Sequence, residues 1–148
     1  MITFIKGKLI EKNPSFVVVE CSGIGYLLRI SLHTYSKLPN DENCILFTHL
    51  SIKEDSHTLF GFFDKEEREL FRFLISVSGV GPNTAQTILS SLTPNEIQHA
   101  IINDNVTLLR GVKGIGGKTA QRIILDLKDK IANLSLNINS SSSLYNTI

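Results

Sequence analysis

A short sequence that occurs twice, 35 residues apart, constrains the fold of this chain more than any other feature. The first copy spans Ser78–Leu89 and the second spans Lys113–Ile124. Both glycines, the threonine, the alanine and the glutamine coincide, and the residue between the glycines is apolar in each copy, Val80 or Ile115. Identities of this number in so short a window predict a structural repeat.

Each copy is flanked by apolar residues with helical spacing, so the repeated unit is predicted to be helix, tight turn, helix. In each turn, glycine allows positive φ and leaves no Cβ to block a ligand. We expect the apolar residue between the glycines to point inward and pin the turn. Backbone amides at the start of the next helix would then face outward and form a site for phosphate.

Two such turns on one small domain can hold backbone phosphates of a nucleic acid without reading any base. The pattern resembles the helix-hairpin-helix DNA-binding motif, present twice. The first copy has Asn83 where the second has Lys118, so we expect the first to hold phosphate less strongly. The candidate DNA-binding residues of the repeat are Gly79, Val80, Gly81, Asn83, Thr84, Lys113, Gly114, Ile115, Gly116, Lys118, Thr119 and Arg122.

Other functions for the repeat were weighed against DNA binding. A Gly-x-Gly turn also joins helices that bind nothing, although duplication makes this purely structural role less favoured. The ATPase phosphate loop, G-x-x-x-x-G-K-[ST], is missed by one residue because Val112 stands in place of the first glycine. Residues 105–110 are too short for a central parallel strand, and the first copy lacks the lysine, so this interpretation is rejected.

Although the phosphate-loop motif is rejected, two enzymatic classes are kept as alternatives to be excluded by activity assays. A nucleotide hydrolase would use Lys118. A helix-hairpin-helix repair enzyme would need a catalytic Lys or Asp in a pocket that accepts a flipped base. Asp126 and Asp129 are better explained as exposed helix charges, and the chain has no tryptophan. The sequence therefore predicts no catalytic residue.

The distribution of charge matters more than its sum, because a net charge of +1 does not describe a uniformly basic protein. Residues 1–63 hold equal numbers of basic and acidic side chains. Residues 110–130 hold six basic side chains (Arg110, Lys113, Lys118, Arg122, Lys128, Lys130) against the acidic Asp126 and Asp129. Positive charge thus gathers around the second hairpin.

The sequence also bears on compartment, metal and cofactor. The amino terminus lacks a signal-peptide layout and no apolar run approaches the length of a membrane span, so we expect a cytoplasmic protein without a membrane partner. Cys21 and Cys44 lie in strand-like surroundings and are predicted to be buried free thiols. The four histidines lack metal-ligand spacing. No metal site and no cofactor are predicted.

The fold class predicted is α+β, with a β-barrel followed by helices. Strands are predicted over 2–10, 16–20, 25–30, 44–53 and 58–63, with one helical turn over 33–38. Five short strands favour closure into a barrel of the OB type. From Asp64 the pattern becomes helical to about Ile131, and Thr93 to Glu96 forms a capping box. The predicted domains are the barrel, 1–63, the helical domain, 64–132, and a flexible serine-rich tail, 133–148.

The order of these features closely resembles the RuvA family. The resemblance rests on the barrel, the hairpin sequence Lys53–Phe62, and the tandem turns at Gly79–Pro82 and Gly114–Gly116, and it covers residues 1–131. It implies a scaffold with no catalytic activity of its own that binds four-way Holliday junctions in recombination and repair. It also implies a homotetramer of four-fold symmetry, with two tetramers forming an octamer on DNA as a further possibility.

The resemblance also assigns roles to residues of the barrel. An acidic pair on a barrel hairpin, matching Glu54 and Asp55 here, lies at the junction centre and helps part the strands. Carboxylates close to phosphates repel them more as water is excluded, which agrees with such a role. A solvated turn is the simpler explanation of the same two residues. Arg29 and Lys53 are candidate phosphate contacts beside this pin.

Partners follow from the resemblance as well. The family positions hexamers of the RuvB ATPase, which drive branch migration, and the RuvC resolvase is a further implied partner. The family has a third, motor-binding domain after a flexible linker, whereas this sequence stops in the serine tract. We therefore expect either a truncated chain or a different coupling to the motor, with DNA binding by the first two domains retained. Asn83 and Gly117 fall where relatives often carry lysine, which predicts weaker binding of DNA at those two positions.

Overall fold

The computed structural model describes the backbone of residues 1–40 and 43–145, and the side chains of those residues up to 134. Five strands form a closed barrel in the order β1-β2-β3-β5-β4. The parallel β3–β5 pairing closes the barrel through Arg29 and Phe60. The strands are β1 Phe4–Lys12, β2 Phe16–Cys21, β3 Ile24–Arg29, β4 Asn43–Ile52 and β5 His57–Phe62.

Alternation of side chains along the strands explains the barrel interior, because successive residues of a strand point to opposite faces. Val17 and Val19 on β2, Leu28 on β3 and Leu46 on β4 are completely buried. The intervening residues face outward, where Leu27 stays exposed. The five-strand barrel predicted from the sequence is confirmed, with strand ends shifted by one or two residues.

Six helices complete the described part of the chain. One short helix, α1, interrupts the barrel between β3 and β4, and the other five follow β5. A capping box at Thr93 begins α4 as predicted: its hydroxyl accepts from the Glu96 amide and the Glu96 carboxylate accepts from the Thr93 amide. The helices are α1 Leu32–Lys37, α2 Lys65–Ile75, α3 Pro82–Ser91, α4 Pro94–Ile102, α5 Val106–Arg110 and α6 Gly117–Tyr145.

A single apolar core joins both glycine turns to the barrel. Phe60 and Phe62 of β5 belong to the same cluster of buried residues as the helices. The ring centroids of both lie 5.0 Å from that of Phe71 on α2. Such aromatic contacts add to the apolar area that is removed from water. The helical region is therefore packed directly onto the strand that leaves the barrel.

The last helix, α6, is longer than the sequence predicts. The helical pattern is expected to end near Ile131, whereas the helical backbone of α6 continues to Tyr145, within the segment predicted as a flexible tail. Once a helix has formed, each added residue gains a hydrogen bond without a new nucleation step, so serine and asparagine of modest helix propensity can extend it. Residues 146–148, the end of the predicted tail, lie outside the described residues.

Candidate nucleic-acid interface

The two glycine turns have nearly the same backbone geometry. Gly79 has φ 91° and Gly114 has φ 88°, a region that side-chain-bearing residues seldom adopt. Val80 and Ile115, the residues that follow, are 5% and 6% exposed. The expectation that the apolar residue points inward is confirmed in both copies, so the repeat in sequence is a repeat in structure.

The second glycine of each pair lacks the positive φ that the sequence predicts but keeps the predicted open space in place of a Cβ. Gly81 has φ −91° and is the N-cap of α3, and Gly116 also lacks a positive φ. Positive φ is thus needed only at the first glycine. A Cβ built on any of the four, Gly79, Gly81, Gly114 and Gly116, would meet nothing within 4 Å. The outer face of each turn is therefore open to a ligand.

Unpaired amides follow directly after the first turn. The first intrahelical bond of α3 runs from the Ala85 amide to the Gly81 carbonyl, which leaves the preceding amides without helical acceptors. Within the described part of the chain, the amides of Gly81, Asn83 and Thr84 have no acceptor, and Gly81 supplies no side-chain cap. Pro82 has no amide hydrogen to leave unpaired.

The second turn repeats this arrangement. The Ala120 amide donates to the Gly116 carbonyl at 3.0 Å. Within residues 1–40 and 43–145, the backbone amides of Gly116, Lys118 and Thr119 have no hydrogen-bond acceptor. These amides lie at the N-terminus of the long helix α6, where the helix dipole also favours a negative charge. Each turn can thus receive an anion such as a phosphate.

The inward residues of the turns are not amide donors for a ligand. The Val80 amide donates to the Val77 carbonyl at 3.0 Å, and the Ile115 amide donates to the Val112 carbonyl at 3.1 Å. Their side chains are buried as well. Val80 and Ile115 therefore shape the turns that present the neighbouring amides, and a DNA contact of their own stays a prediction.

Basic side chains surround the second turn. Lys113 and Lys118 are exposed. Arg122 lies one turn further along α6 and is held near Asp126, with 3.6 Å between Nε and Oδ2. Exposed pairs of this kind contribute little to stability, so Arg122 keeps much of its capacity to meet a phosphate.

Arg110 is a further basic residue that the sequence analysis did not select as a contact. Its Nε lies 3.6 Å from the place where a Cβ on Gly117 would stand. The guanidinium therefore covers the first residue of α6, at the position where relatives are expected to carry lysine. Its place in the basic group of residues 110–130 was the only sequence signal for it.

Arg29 and Lys53 of the barrel meet the first hairpin in one small polar cleft of about 240 Å³. Arg29 ends β3 and Lys53 follows β4, and both line this cleft together with Asn83 near the start of α3. Cationic and hydroxyl groups at a helix N-terminus form suitable surroundings for a phosphate. The remaining lining residues are Ser51, Ser56, Thr58, Phe60 and Pro82, of which the hydroxyl residues were not predicted.

The acidic pair forms the tip of the β4–β5 hairpin. Lys53 and Ser56 exchange two backbone hydrogen bonds, of 2.8 and 3.4 Å, and only Glu54 and Asp55 lie between them. Both acidic residues are exposed. The tip therefore projects two carboxylates into solvent, directly beyond the Lys53 end of the polar cleft.

The rejected ATPase loop can be checked against the backbone. Residues 106–110 form helix α5, capped by the Asn105 side chain, which accepts from the Leu108 amide at 3.1 Å. A phosphate loop of that class follows a β-strand, so the glycine turn at Gly114 has the wrong structural context. Lys118 stands after a helix and a turn instead.

The cleft beside the last helix also bears on the base-excising alternative. Asp129 lines it, and Lys128 there is paired with Asp104 at 2.7 Å. Its other lining residues are Val106, Gln121, Ile124 and Leu125, so the described lining offers no aromatic ring for a base to stack on.

Over the described side chains, no group of three or more His, Cys, Asp or Glu could hold a metal ion. No helix within the described ranges has the length and apolar character that crossing a membrane requires.

Comparison with known proteins agrees with this architecture. The family model described as RuvA N terminal domain matches residues 1–61, and the model described as SAM-like Helix-hairpin-helix tandem matches residues 71–129. The first coincides with the barrel and its acidic tip. The second spans both glycine turns.

Similar curated proteins share the name Holliday junction branch migration complex subunit RuvA. The one from Christiangramia forsetii is 61% identical over 88% of this chain and 68% of its own length. The one from Flavobacterium psychrophilum is 55% identical over 90% of this chain and 69% of its own length. The one from Bacteroides thetaiotaomicron is 49% identical over 97% of this chain and 71% of its own length. This chain therefore belongs to the RuvA family.

Proposed function

We propose that this chain is a non-catalytic scaffold that binds four-way DNA junctions and holds them open for branch migration in recombination and repair. The observation that carries the proposal is the pair of open glycine turns, each followed by unpaired amides at a helix N-terminus. Contacts of this kind recognise phosphates and not bases, which suits a protein that selects DNA by shape. The printed names of the relatives support the same function.

The proposal assigns the first turn to one backbone phosphate and the second to another. The donors would be the amides of Gly79, Gly81, Asn83 and Thr84 at the first turn, with Gly114, Gly116, Lys118 and Thr119 at the second. Lys113, Arg110 and Arg122 would add positive charge at the second turn. The first copy of the repeat has no basic residue of its own, and Arg29 and Lys53 of the barrel would supply the positive charge beside it.

We assign the polar cleft and the acidic tip to the junction centre. Arg29 and Lys53 would hold a phosphate close to the tip, while Glu54 and Asp55 would repel the phosphates of strands that approach one another there. Coulomb repulsion grows as water is excluded from the site. Attraction beside the tip and repulsion at it would together favour an open junction over stacked arms.

The assembly we infer is a homotetramer of four-fold symmetry in the bacterial cytoplasm, with an octamer as its form on DNA. In this arrangement residues 1–63 act as the barrel unit and 64–132 as the DNA-binding helical unit. The RuvB ATPase would supply the catalysis, and the RuvC resolvase would act on the same junction. The word complex in the relatives' names supports a partnership with other subunits.

A binding competition tests the proposal directly. A labelled four-way junction is titrated with the chain, and unlabelled linear duplex of the same arm sequences competes. We expect the junction to be preferred, with an affinity that falls steeply with salt because phosphate neutralisation dominates. Equal affinity for the two DNAs would contradict the proposal, and release of a base or turnover of ATP by the chain alone would favour one of the enzymatic alternatives.

A further inference from the structure

A buried carboxyl group connects the helical region to the barrel. Glu67 on α2 is completely buried, although it belongs to a charged run in the sequence. Its Oε1 accepts hydrogen bonds from the hydroxyls of Ser31, at 2.5 Å, and Thr34, at 3.1 Å. Its Oε2 has no hydrogen-bond partner within the described part of the chain. Buried polar atoms usually have one, so this carboxyl is an exception that calls for a function.

The hydroxyl of Ser31 links this carboxyl to the start of α1. Ser31 is the N-cap of α1, and its side chain also accepts from the Thr34 amide at 3.1 Å. The next residue, Leu32, donates its amide to the Ser90 hydroxyl of α3 at 3.1 Å. The segment around Ser31 is thus held by α2 on one side and by α3 on the other.

The same segment carries Arg29, two residues before Ser31. Arg29 lines the polar cleft with Asn83, and it also lines a larger cleft of about 460 Å³ with Asn83 and Gln86. A displacement of the Ser31 backbone would therefore move Arg29 relative to the N-terminus of α3.

We propose that Glu67 is a positioning residue for the DNA interface, which holds Ser31 so that Arg29 lines the cleft at the start of α3, and that this packed arrangement becomes less favourable when the buried carboxyl ionises. The inference rests on the proposed function, because Arg29 matters here as a phosphate contact. Glu67 itself touches no part of the interface.

The surroundings of Glu67 make it sensitive to pH near neutrality. Burial raises the pKa of Glu67 to about 7, and the hydrogen bonds from Ser31 and Thr34 oppose this rise only in part. The charged or titratable groups that face it are His33 and Lys37 on α1 and Asp64 before α2. Burial also lowers the pKa of His33. These two shifts favour the neutral forms of both side chains, although His33 Nε2 lies 3.6 Å from Glu67 Oε2.

The sign of the pH effect follows from the raised pKa. A folded-state pKa above the ordinary value of 4.5 means that the folded chain binds a proton more tightly than the unfolded chain does. The stability that this provides is complete below 4.5 and is lost as the pH rises through about 7. Ionised Glu67 would leave a buried charge with an unpaired oxygen, which disfavours the arrangement.

The test compares Glu67→Gln with Glu67→Ala, using Glu66→Gln as an exposed control on the same helix. Thermal unfolding and junction affinity are measured from about pH 6 to about pH 8.5, across the titration. We expect the wild type and E66Q to lose stability and junction affinity with rising pH. E67Q keeps the acceptor oxygen and cannot ionise, so both quantities should depend much less on pH. E67A should bind roughly tenfold more weakly at all pH values, which corresponds to about 1.4 kcal/mol.

Should E67A fail to fold, Ser31→Ala provides the second measurement, because it removes a hydroxyl donor and leaves the carboxyl in place. We expect S31A to weaken junction binding while the barrel stays folded. A pH dependence of E67Q equal to that of the wild type, or unchanged affinity in both E67A and S31A, would overturn the inference. If the wild type does not bind junctions at any pH, the proposed function is refuted instead. The thermal unfolding data would still show whether stability depends on the ionisation of Glu67.

Discussion

Arg29 at the end of β3 and Asn83 at the start of α3 line the same two clefts between the barrel and the helices. Arg29 belongs to the barrel and Asn83 to the first copy of the glycine repeat, and they are 54 positions apart in sequence. Their shared position brings a barrel cation to the first helix N-terminus that has unpaired amides. The barrel and the first hairpin therefore form one continuous candidate surface for a DNA backbone.

Loss of the barrel cations should weaken binding without altering its selectivity among sequences. We expect Arg29→Ala and Lys53→Ala each to reduce junction affinity similarly for all arm sequences, and to lower the slope of log affinity against log salt by about 1, because each contacts a phosphate. Lys8→Ala, which removes an exposed lysine from the outer face of β1, is the control. Unchanged salt slopes in both variants would remove these residues from the interface.

Substitutions at the glycine turns should separate DNA binding from folding. We expect Gly116→Ala to leave stability within about 0.5 kcal/mol of the wild type, because the added Cβ meets nothing, yet to weaken junction binding by covering the amides. The double change Gly114→Val and Gly116→Val should abolish binding. It should also cost stability of about 1–3 kcal/mol, since Gly114 has φ 88°.

The turn at Gly23 supplies a matched control for that strain. Gly23 has φ 86° and open space around its Cβ position, but it lies in the β2–β3 turn of the barrel. Gly23→Val should therefore lower the free energy of unfolding by a similar amount. The folded variant should bind the junction as tightly as the wild type does. If Gly23→Val weakened junction binding as much as the double variant did, general destabilisation would explain both results.

Neutralising the acidic tip should reduce discrimination between DNA structures. We expect Glu54→Gln with Asp55→Asn to raise affinity for linear duplex more than for the junction, because repulsion of closely placed phosphates is removed. Folding should be unaffected, since the turn is held by backbone bonds between Lys53 and Ser56. Glu66→Gln serves as the acidic control in the same competition assay. If the variant prefers the junction over the duplex as strongly as the wild type does, the tip is only a solvated turn.

The barrel contains one position where any side chain is excluded. A Cβ on Gly7 would stand 2.2 Å from the Glu20 carbonyl oxygen and 2.8 Å from Cys21 Sγ. Gly7→Ala should therefore lower the free energy of unfolding by roughly 3 kcal/mol, because β1 and β2 must separate. Gly25→Ala, where the nearest atom would be 3.5 Å away, should change it by less than about 0.5 kcal/mol. Denaturant unfolding of the two variants compares them directly.

Local patterns predicted most of the fold. Short runs of strand-forming residues separated by turn signals identified all five strands. The repeat identified both turns, because the positive φ of Gly79 and Gly114 depends on glycine and its close sequence neighbours and not on distant residues. The capping box at Thr93 is likewise a matter of four consecutive residues.

Features that depend on distant residues were not predictable in this way. Glu67 was part of a helix-forming charged run, and only packing against α1 buries it beside Ser31 and Thr34. Arg110 is an ordinary exposed basic residue until α5 and α6 place it over Gly117. The length of α6 was also missed, because a serine-rich sequence gives no sign that a preceding helix will extend through it.

Hydrogen exchange of the turn amides tests the central claim most directly, because those amides are the proposed ligands of DNA. Exchange is followed by mass spectrometry in the free chain and in its complex with a four-way junction. We predict slower exchange in segments 78–84 and 113–119 of the complex, with no change in segment 21–26 around Gly23. Unchanged exchange in both glycine turns while the junction is bound would contradict the account.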